Sequence, residues 1–308
     1  MHFKLINDKI PALKEGIKMQ KTNINNIDFK GAKQLANTGI CRVILLKNGF
    51  VLKLFERTII NLFKLSGDDI EAKILNAKPI PGSPEILTPT SAVYSENGFF
   101  VGYIMPRAKG MNYNERDEKL TIKQREDLNK YAKIHSRIEQ ILIKNPNIVF
   151  PDICTCENIF ISEKEKIQLI DYDGLQVGKY RTSSLSTSVG TINDYVDDPK
   201  YMTKDKLFTK ELDKKSSIVL YFLSAFNIDL GRVGYAYLPN GKLITLDDVF
   251  SCINLDDQDV CHKVWKLFQD NEQNDFLEED VLRIADRYDL HVLAEYNGQC
   301  IKKLTRKR

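Results

Sequence analysis

Near residue 107 the chain changes texture without a linker: short β-rich runs broken by Asn-Gly turns give way to long stretches with helical spacing. No repeat or low-complexity segment marks the change, so the sequence reads as one α+β domain in two lobes. The 308 residues, 43% of them apolar, suffice for a full core. Against 45 basic side chains stand 42 acidic ones, and a net charge of +3 is too small for the electrostatic footprint of a nucleic-acid binder. The longest nearly uninterrupted apolar stretch, Ile218 to Phe226, is too short for a bilayer, and no basic-then-apolar leader opens the chain. The expectation is a soluble cytoplasmic protein with neither nucleic acid nor membrane as partner. Six sparse cysteines fit reduced thiols, and Cys154-x-Cys156 lacks the second ligand pair that a zinc site needs. The basic tail from Ile301 to Arg308 reads as a solvated end, with contact to acidic lipid or RNA as the alternative.

Within the first part, Arg42 to Phe55 holds two β-rich runs around Asn48-Gly49, a dipeptide suited to the positive-φ positions of a type I′ turn. A helix is predicted from Asp68 to Ala77, with acids at its positive end, Ile70, Ile74 and Leu75 on one face, and Pro79 and Pro81 to stop it. Ser91 to Tyr94 and Phe99 to Met105 read as two strands joined by Glu96-Asn97-Gly98, with Pro106 ending the pairing. Together these form a small antiparallel sheet with one helix. Helical spacing then runs from Thr121 to about Ile143 through Leu128, Tyr131, Ile134, Ile138 and Ile141. Further helices are predicted at Ser217 to Phe226, Asp259 to Phe268 and Leu277 to Tyr288, making the second part mainly helical.

Charged residues fall in an order that suits phosphoryl transfer, which needs cations on nucleotide phosphates, oxygen ligands for Mg²⁺ and a carboxylate near the attacking hydroxyl. Lys53 lies in the strand Phe50 to Phe55, and Glu71, 18 residues on, lies on the predicted helix. Asp152 and Asn158 sit in a short polar loop before a β-rich run, and the apolar strand Ile167-Gln-Leu-Ile170 delivers Asp171 to its end. Two acids and an amide thereby converge on one hairpin. A plain surface lysine at 53, a surface glutamate at 71 and turn-forming aspartates at 152 and 171 are the alternatives for each fragment taken alone.

The order Lys53, Glu71, Asp152, Asn158, Asp171 resembles the protein-kinase superfamily over roughly residues 30 to 225. Ser188 to Pro199 resembles the G-T-x-x-Y-x-x-P-E segment that ends a kinase activation loop, and Asp213 to Leu223 resembles the D-x-W-S-x-G-x-x-L-Y-x-L helix. The resemblance implies a bilobal fold: a small antiparallel β-sheet N-lobe with one helix over residues 1–106, the first 25 being an extension, and a mainly α-helical C-lobe over 107–308. It implies ATP and Mg²⁺ as cofactors. Lys53 would contact the α- and β-phosphates, Glu71 would pair with Lys53, Asn158 and Asp171 would hold Mg²⁺, and Asp152 would accept the substrate proton. Gly39 and Val43 would cover the nucleotide, and the hinge would fall near Ile104, Met105 and on to Gly110, where backbone groups meet adenine.

Departures from the family pattern shape the functional expectation. Ala36, Thr38 and Cys41 stand where three glycines belong, with Gly39 one place away to restore a turn. Phe150-Pro151-Asp152 replaces H-R-D, which removes the arginine that reads activation-loop phosphorylation. The loop to Asn158 is one residue longer than usual, and Asp171-Tyr172-Asp173 replaces D-F-G, with Asp173 expected to be exposed rather than a further metal contact. Hydroxyls from Thr182 to Ser188 offer an autophosphorylation site, a plain mobile loop being the equal alternative. The function expected first is a Ser/Thr protein kinase acting on a protein substrate, itself included. A pseudokinase scaffold and a small-molecule phosphotransferase of the aminoglycoside or choline kinase kind, to which Ile170-Asp171-Tyr172 is suited, are the alternatives.

Overall fold

A computed structural model describes residues 19–80, 82–112, 137, 138, 140–142, 144–151, 158–162, 164, 166–182, 186, 187, 190, 191, 199–212 and 255–269. The chain divides into two compact units, Met1–Arg107 and Ala108–Arg308. Together the described residues form a mixed α+β structure with one multistranded sheet and few helices.

Six strands build the sheet of the first unit: β1 (Gln20–Asn23), β2 (Lys33–Asn37), β3 (Cys41–Leu45), β4 (Phe50–Phe55), β5 (Ser91–Tyr94) and β6 (Phe100–Pro106). Their spatial order is β1-β5-β6-β4-β3-β2, antiparallel throughout except for the parallel β1–β5 pair. Leu52 and Leu54 of β4 point to one face, where they pack with Leu46, Val93 and Ile104, so alternation along the strand leaves Val51, Lys53 and Phe55 on the other. Burying one leucine is worth about 1.5–3 kcal/mol against about 1 kcal/mol for a hydrogen bond, so hydrophobic pattern sets the register. A β-bulge in the β5–β6 ladder, after Val93–Gly102 and before Tyr94–Phe100, resets that alternation. Val101 therefore packs on the leucine face while Phe100 meets Phe55 and Tyr94 on the opposite one.

The turn between β3 and β4 is not type I′. Only Gly49 has positive φ, at 82°; its N–H donates to Leu46 O at 3.0 Å, and Leu46 N–H donates to Phe50 O at 2.8 Å. Lys47 lengthens the loop to three residues, so a helical-type turn precedes the glycine and Asn48 stays at negative φ. The β5–β6 turn repeats the design: Gly98, at φ 75°, donates to Ser95 O at 3.0 Å and Ser95 N–H to Phe99 O at 2.8 Å.

Two helices, not one, follow β4. Helix α1 (Arg57–Ser66) was not foreseen; it buries Ile60 and Phe63 and ends at Gly67 in a left-handed cap, with Asp68 N–H reaching Phe63 O at 2.8 Å. Helix α2 (Ile70–Leu75) occupies the middle of the predicted Asp68 to Ala77 segment; the Asp69 side chain caps it by accepting from Ala72 N–H at 2.9 Å. It stops at Asn76, before the prolines, and packs on β5.

In the second unit β7 (Met111–Asn112), β9 (Ile159–Ile161) and β10 (Ile167–Leu169) form a sheet in the order β10-β9-β7. A Cβ on Gly110 would lie 2.2 Å from Ile161 O, so only glycine lets the chain enter β7 this close to β9. Strand β8 (Ile148–Val149) pairs with β11 (Gln176–Val177), and β12 (Ser186–Thr187) with β13 (Gly190–Thr191). Val149, Met202, Phe208 and Leu212 share a core. Gln176 fastens it with a reciprocal pair: its amide donates to Phe208 O at 2.8 Å and accepts from Phe208 N–H at 2.7 Å. Helix α3 (Leu255–Gln269) contains the predicted 259–268 segment, and 137, 138 and 140–142 are helical as expected of the 121–143 stretch. The predicted helices at 217–226 and 277–288 lie outside the described residues. Among the described residues no helix is long and apolar enough to cross a membrane.

Candidate functional site

In the second unit the β9–β10 hairpin brings two of the sequence-selected residues side by side. Ile159 pairs with Leu169, and one step beyond, Ile170 N–H donates to Asn158 O at 2.9 Å. Asn158 thus sits across the ladder from the position just before Asp171. Asp171 leaves the strand in the left-handed region, φ 67° and ψ 52°, a conformation that costs an L-residue about 1–2 kcal/mol and that aspartate tolerates better than most. Tyr172–Gly174 then form a 3₁₀ turn closed by Gly174 N–H donating to Asp171 O at 2.9 Å. The Asp171 carboxylate folds back over Gly174: a Cβ there would lie 2.3 Å from Asp171 Oδ2. Tyr172 and Asp173 are buried, so the expectation of an exposed Asp173 is corrected; the tight 3₁₀ turn directs it inward.

This turn is held from behind. Thr182 is buried, and its hydroxyl donates to Gly174 O at 2.5 Å. That removes Thr182 from the expected run of phosphoacceptors; side chains 183–188 lie outside the described residues. Asp152 also lies outside them, as do Asp213, Cys154, Cys156 and residues 192–198. Both flanks of the 152–157 segment are anchored next to the turn: β8, ending at Val149, pairs with β11 just after Gly174, and Ile159 pairs with β10 just before Asp171.

In the first unit Lys53 stands on a central strand, directly opposite Val43 on β3 and Tyr103 on β6. Directly opposed residues share a face, so Val43, Lys53 and Tyr103 do, as do Val51 and Met105 in the neighbouring row. The Lys53 ammonium lies 5.5 Å from the centre of the Phe55 ring, which stands 6.1 Å from the Tyr103 ring. Gly102 lets β6 approach here: a Cβ on it would lie 2.1 Å from Lys53 O. Ile104 lies inside β6. Its side chain belongs to the leucine face, and its carbonyl accepts from Thr90 N–H at 2.8 Å and Thr90 Oγ1 at 3.2 Å, because β5 and β6 continue their pairing through it. Met105, buried on the Lys53 face, keeps a place beside the lysine.

Glu71, on α2, is half-buried, and its Oε1 accepts from the Tyr94 hydroxyl at 3.1 Å. Burial, then the Glu71 charge and this hydrogen bond, push the Tyr94 phenol up to about 12. Gly39 lies in the turn between β2 and β3 with φ 76° and open space where a Cβ would project. That turn is tied internally by Thr38, whose N–H donates to Cys41 O at 3.1 Å and whose hydroxyl accepts from Cys41 N–H at 3.3 Å. Cys41, at one of the three glycine positions, is buried as the first residue of β3.

Sequence reasoning missed two residues here. Gly174 carried a signal, a glycine after Asp171-Tyr172-Asp173, that becomes meaningful only when the carboxylate is seen folded over it. Tyr94 carried none, since a tyrosine ending a strand is ordinary. Chemically, Asn158 and Asp171 offer an amide and a carboxylate oxygen, hard donors of the kind Mg²⁺ takes in ones and twos while phosphates and water complete its shell. The donor set fits that ion. No family model matches the chain, and no curated protein matches it significantly.

Proposed function

We propose that this chain is an ATP- and Mg²⁺-dependent phosphotransferase with a bilobal, protein-kinase-like fold, transferring the γ-phosphate to a serine or threonine hydroxyl of a protein. One observation carries the reading most: Asn158 and Asp171 meet at the same end of the β9–β10 hairpin, with Asp171 held in a left-handed conformation over Gly174. Strain at a carboxylate is a better pointer to function than a carboxylate in a relaxed turn. The first unit adds support, since Lys53 shares a sheet face with Val43, Val51, Tyr103 and Met105, and helix α2 carries Glu71.

In this reading Lys53 neutralises the α- and β-phosphates and Glu71 orients it. Asn158 and Asp171 would hold the cation, which would supply positive charge to offset the negative charge of the phosphates. Asp152 takes the proton of the attacking hydroxyl. Val43 and Met105 supply apolar surface for the base, and Gly39 leaves room for phosphate to approach the β2–β3 turn. The buried thiols Cys41 and Cys261 suit the reducing cytoplasm.

A non-catalytic, nucleotide-binding reading is favoured by the β2–β3 turn, where Thr38 and Cys41 satisfy one another's backbone groups instead of leaving them for phosphate. Incubation with labelled ATP and Mg²⁺, beside an Asp171→Ala control, decides. Label on protein that vanishes in the control supports the proposal. Label on small molecules selects a small-molecule phosphotransferase, and nucleotide-dependent thermal stabilisation without transfer selects the scaffold.

A further inference from the structure

In the second unit two short stretches, 178–182 and 199–212, hold six cations and two acids, an excess of four where the whole chain has a net of only +3. Packing brings the two together. Gln176 pairs with both backbone groups of Phe208, and the Arg181 guanidinium donates to Asp205 O at 2.7 Å. Lys204 and Lys206, on either side of Asp205, are thereby held beside the tight turn from Val177 to Tyr180 that carries Lys179 at its tip. All three lysines are exposed. Lys210 is half-buried and stands apart from them, its ammonium turned in to the Leu142 and Ile148 carbonyls.

A second observation comes from the backbone. The 203–206 turn closes like the β3–β4 and β5–β6 turns, with Lys206 N–H donating to Thr203 O at 2.9 Å and Thr203 N–H to Leu207 O at 2.7 Å. Yet Lys206, at φ 58°, occupies the left-handed position that Gly49 and Gly98 fill in those two. Strain kept where glycine would relieve it points to a use for the side chain. From the charge and the strain together we infer that this face is a docking surface for an acidic, carboxylate-rich segment of a protein partner. Each ammonium offers three donors to carboxylate oxygens, and the opposed charges steer the encounter. Other anionic partners fit less well. Tyr180 and Tyr201 each lie under the ammonium of the preceding lysine, 5.5 Å from the ring centre, so neither ring is a bare platform for a nucleic-acid base. Among the described residues, neither stretch exposes a large hydrophobic side chain that could enter a membrane.

Fluorescence anisotropy with the full chain and a labelled oligoglutamate peptide, at about 0.1 M salt, tests the surface. One variant combines Lys179→Gln, Lys204→Gln and Lys206→Gln. A control combines Lys30→Gln, Lys33→Gln and Lys47→Gln, which removes the same charge from exposed sites in the first unit. The control is expected to bind as the wild type does, and the first variant about tenfold more weakly, roughly twofold for each exposed ion pair lost. Binding should fade toward about 1 M salt, where the Debye length shrinks from about 10 Å to about 3 Å. Thermal unfolding checks that both variants fold. Should the triple variant melt early, Lys179→Gln with Lys204→Gln avoids the strained position and is expected to bind about fourfold more weakly. No binding by the wild type, or an equal loss in the control, would overturn the inference. So would a tighter hold on single-stranded RNA of equal charge or on phosphatidylserine vesicles. Binding is read here without phosphate transfer, so every one of these results leaves the phosphotransferase reading as it stands.

Discussion

Gly174 lies beneath the carboxylate of Asp171, so closely that a Cβ on the glycine would come within 2.3 Å of Asp171 Oδ2. One small residue thus determines where the proposed metal ligand can rest, and the Thr182 hydroxyl holds the glycine's own carbonyl in place.

Gly174→Ala forces the carboxylate off its position. The expected cost is about 1–3 kcal/mol of stability, the usual price of overpacking, with at least tenfold weaker Mg-ATP binding. In an Asp171→Ala background the same change should cost little, because the colliding oxygens are gone. Urea unfolding of the four proteins checks this, and an equal cost in both backgrounds would place the collision elsewhere.

Gln176 ties β11 to the 200–212 segment through both backbone groups of Phe208. Gln176→Leu has similar volume but leaves a buried N–H and a buried carbonyl without these partners. A loss of about 2–4 kcal/mol is expected, seen as a lower urea midpoint with an unchanged denaturant slope. A midpoint within error of wild type would contradict the buried pairing.

Three turns close in the same way, but two carry glycine at the left-handed position and the third carries Lys206, at φ 58°, with its N–H donating to Thr203 O at 2.9 Å. Gly49→Ala and Gly98→Ala should each destabilise by about 1 kcal/mol or more, the left-handed penalty for an L-residue. Lys206→Gly should not destabilise, since relief of that penalty offsets the greater freedom of glycine in the unfolded chain. Thermal melts of the three variants test the contrast, and a destabilised Lys206→Gly would show that the lysine side chain makes a stabilising contact.

Burial, with Asp257 as a lesser cause, pushes the Cys261 thiol up from 9.0 to about 12, and burial with Glu71 pushes the Tyr94 phenol up from 10.0 to about 12. Both groups are neutral when protonated, so above the unfolded values the folded chain keeps protons that the unfolded chain releases. Stability is therefore expected to decline from about pH 9 toward 12. Cys261→Ala should flatten the decline from its start, and Tyr94→Phe only above about pH 10. An alkaline profile unaltered by either variant would contradict these environments.

The sheet was legible because 50–55 and 100–106 are short runs rich in β-formers, each preceded by an Asn-Gly turn. The turns were legible in place but not in type: Asn-Gly marks a turn, while the preceding Lys47 decides its length. Helix α1 was hidden because Arg57-Thr-Ile-Ile60 opens with β-branched residues, and packing of Ile60 and Phe63 overrides that preference. At the site, spacing indicated that Asn158 and Asp171 flank a hairpin. The inward turn of Asp173 and the burial of Thr182 both depend on local backbone geometry that residue types do not report.

The central claim is that Asn158 and Asp171 hold a divalent cation on a nucleotide. Its most direct measurement is a crystal structure with a non-hydrolysable ATP analogue and Mn²⁺, the ion located by its anomalous signal. The expected result is a manganese peak bonded to side-chain oxygens of both residues, at about 2.0–2.3 Å, with the triphosphate at the Lys53 ammonium. A nucleotide bound away from these three residues, or none bound at millimolar concentration, would contradict the account.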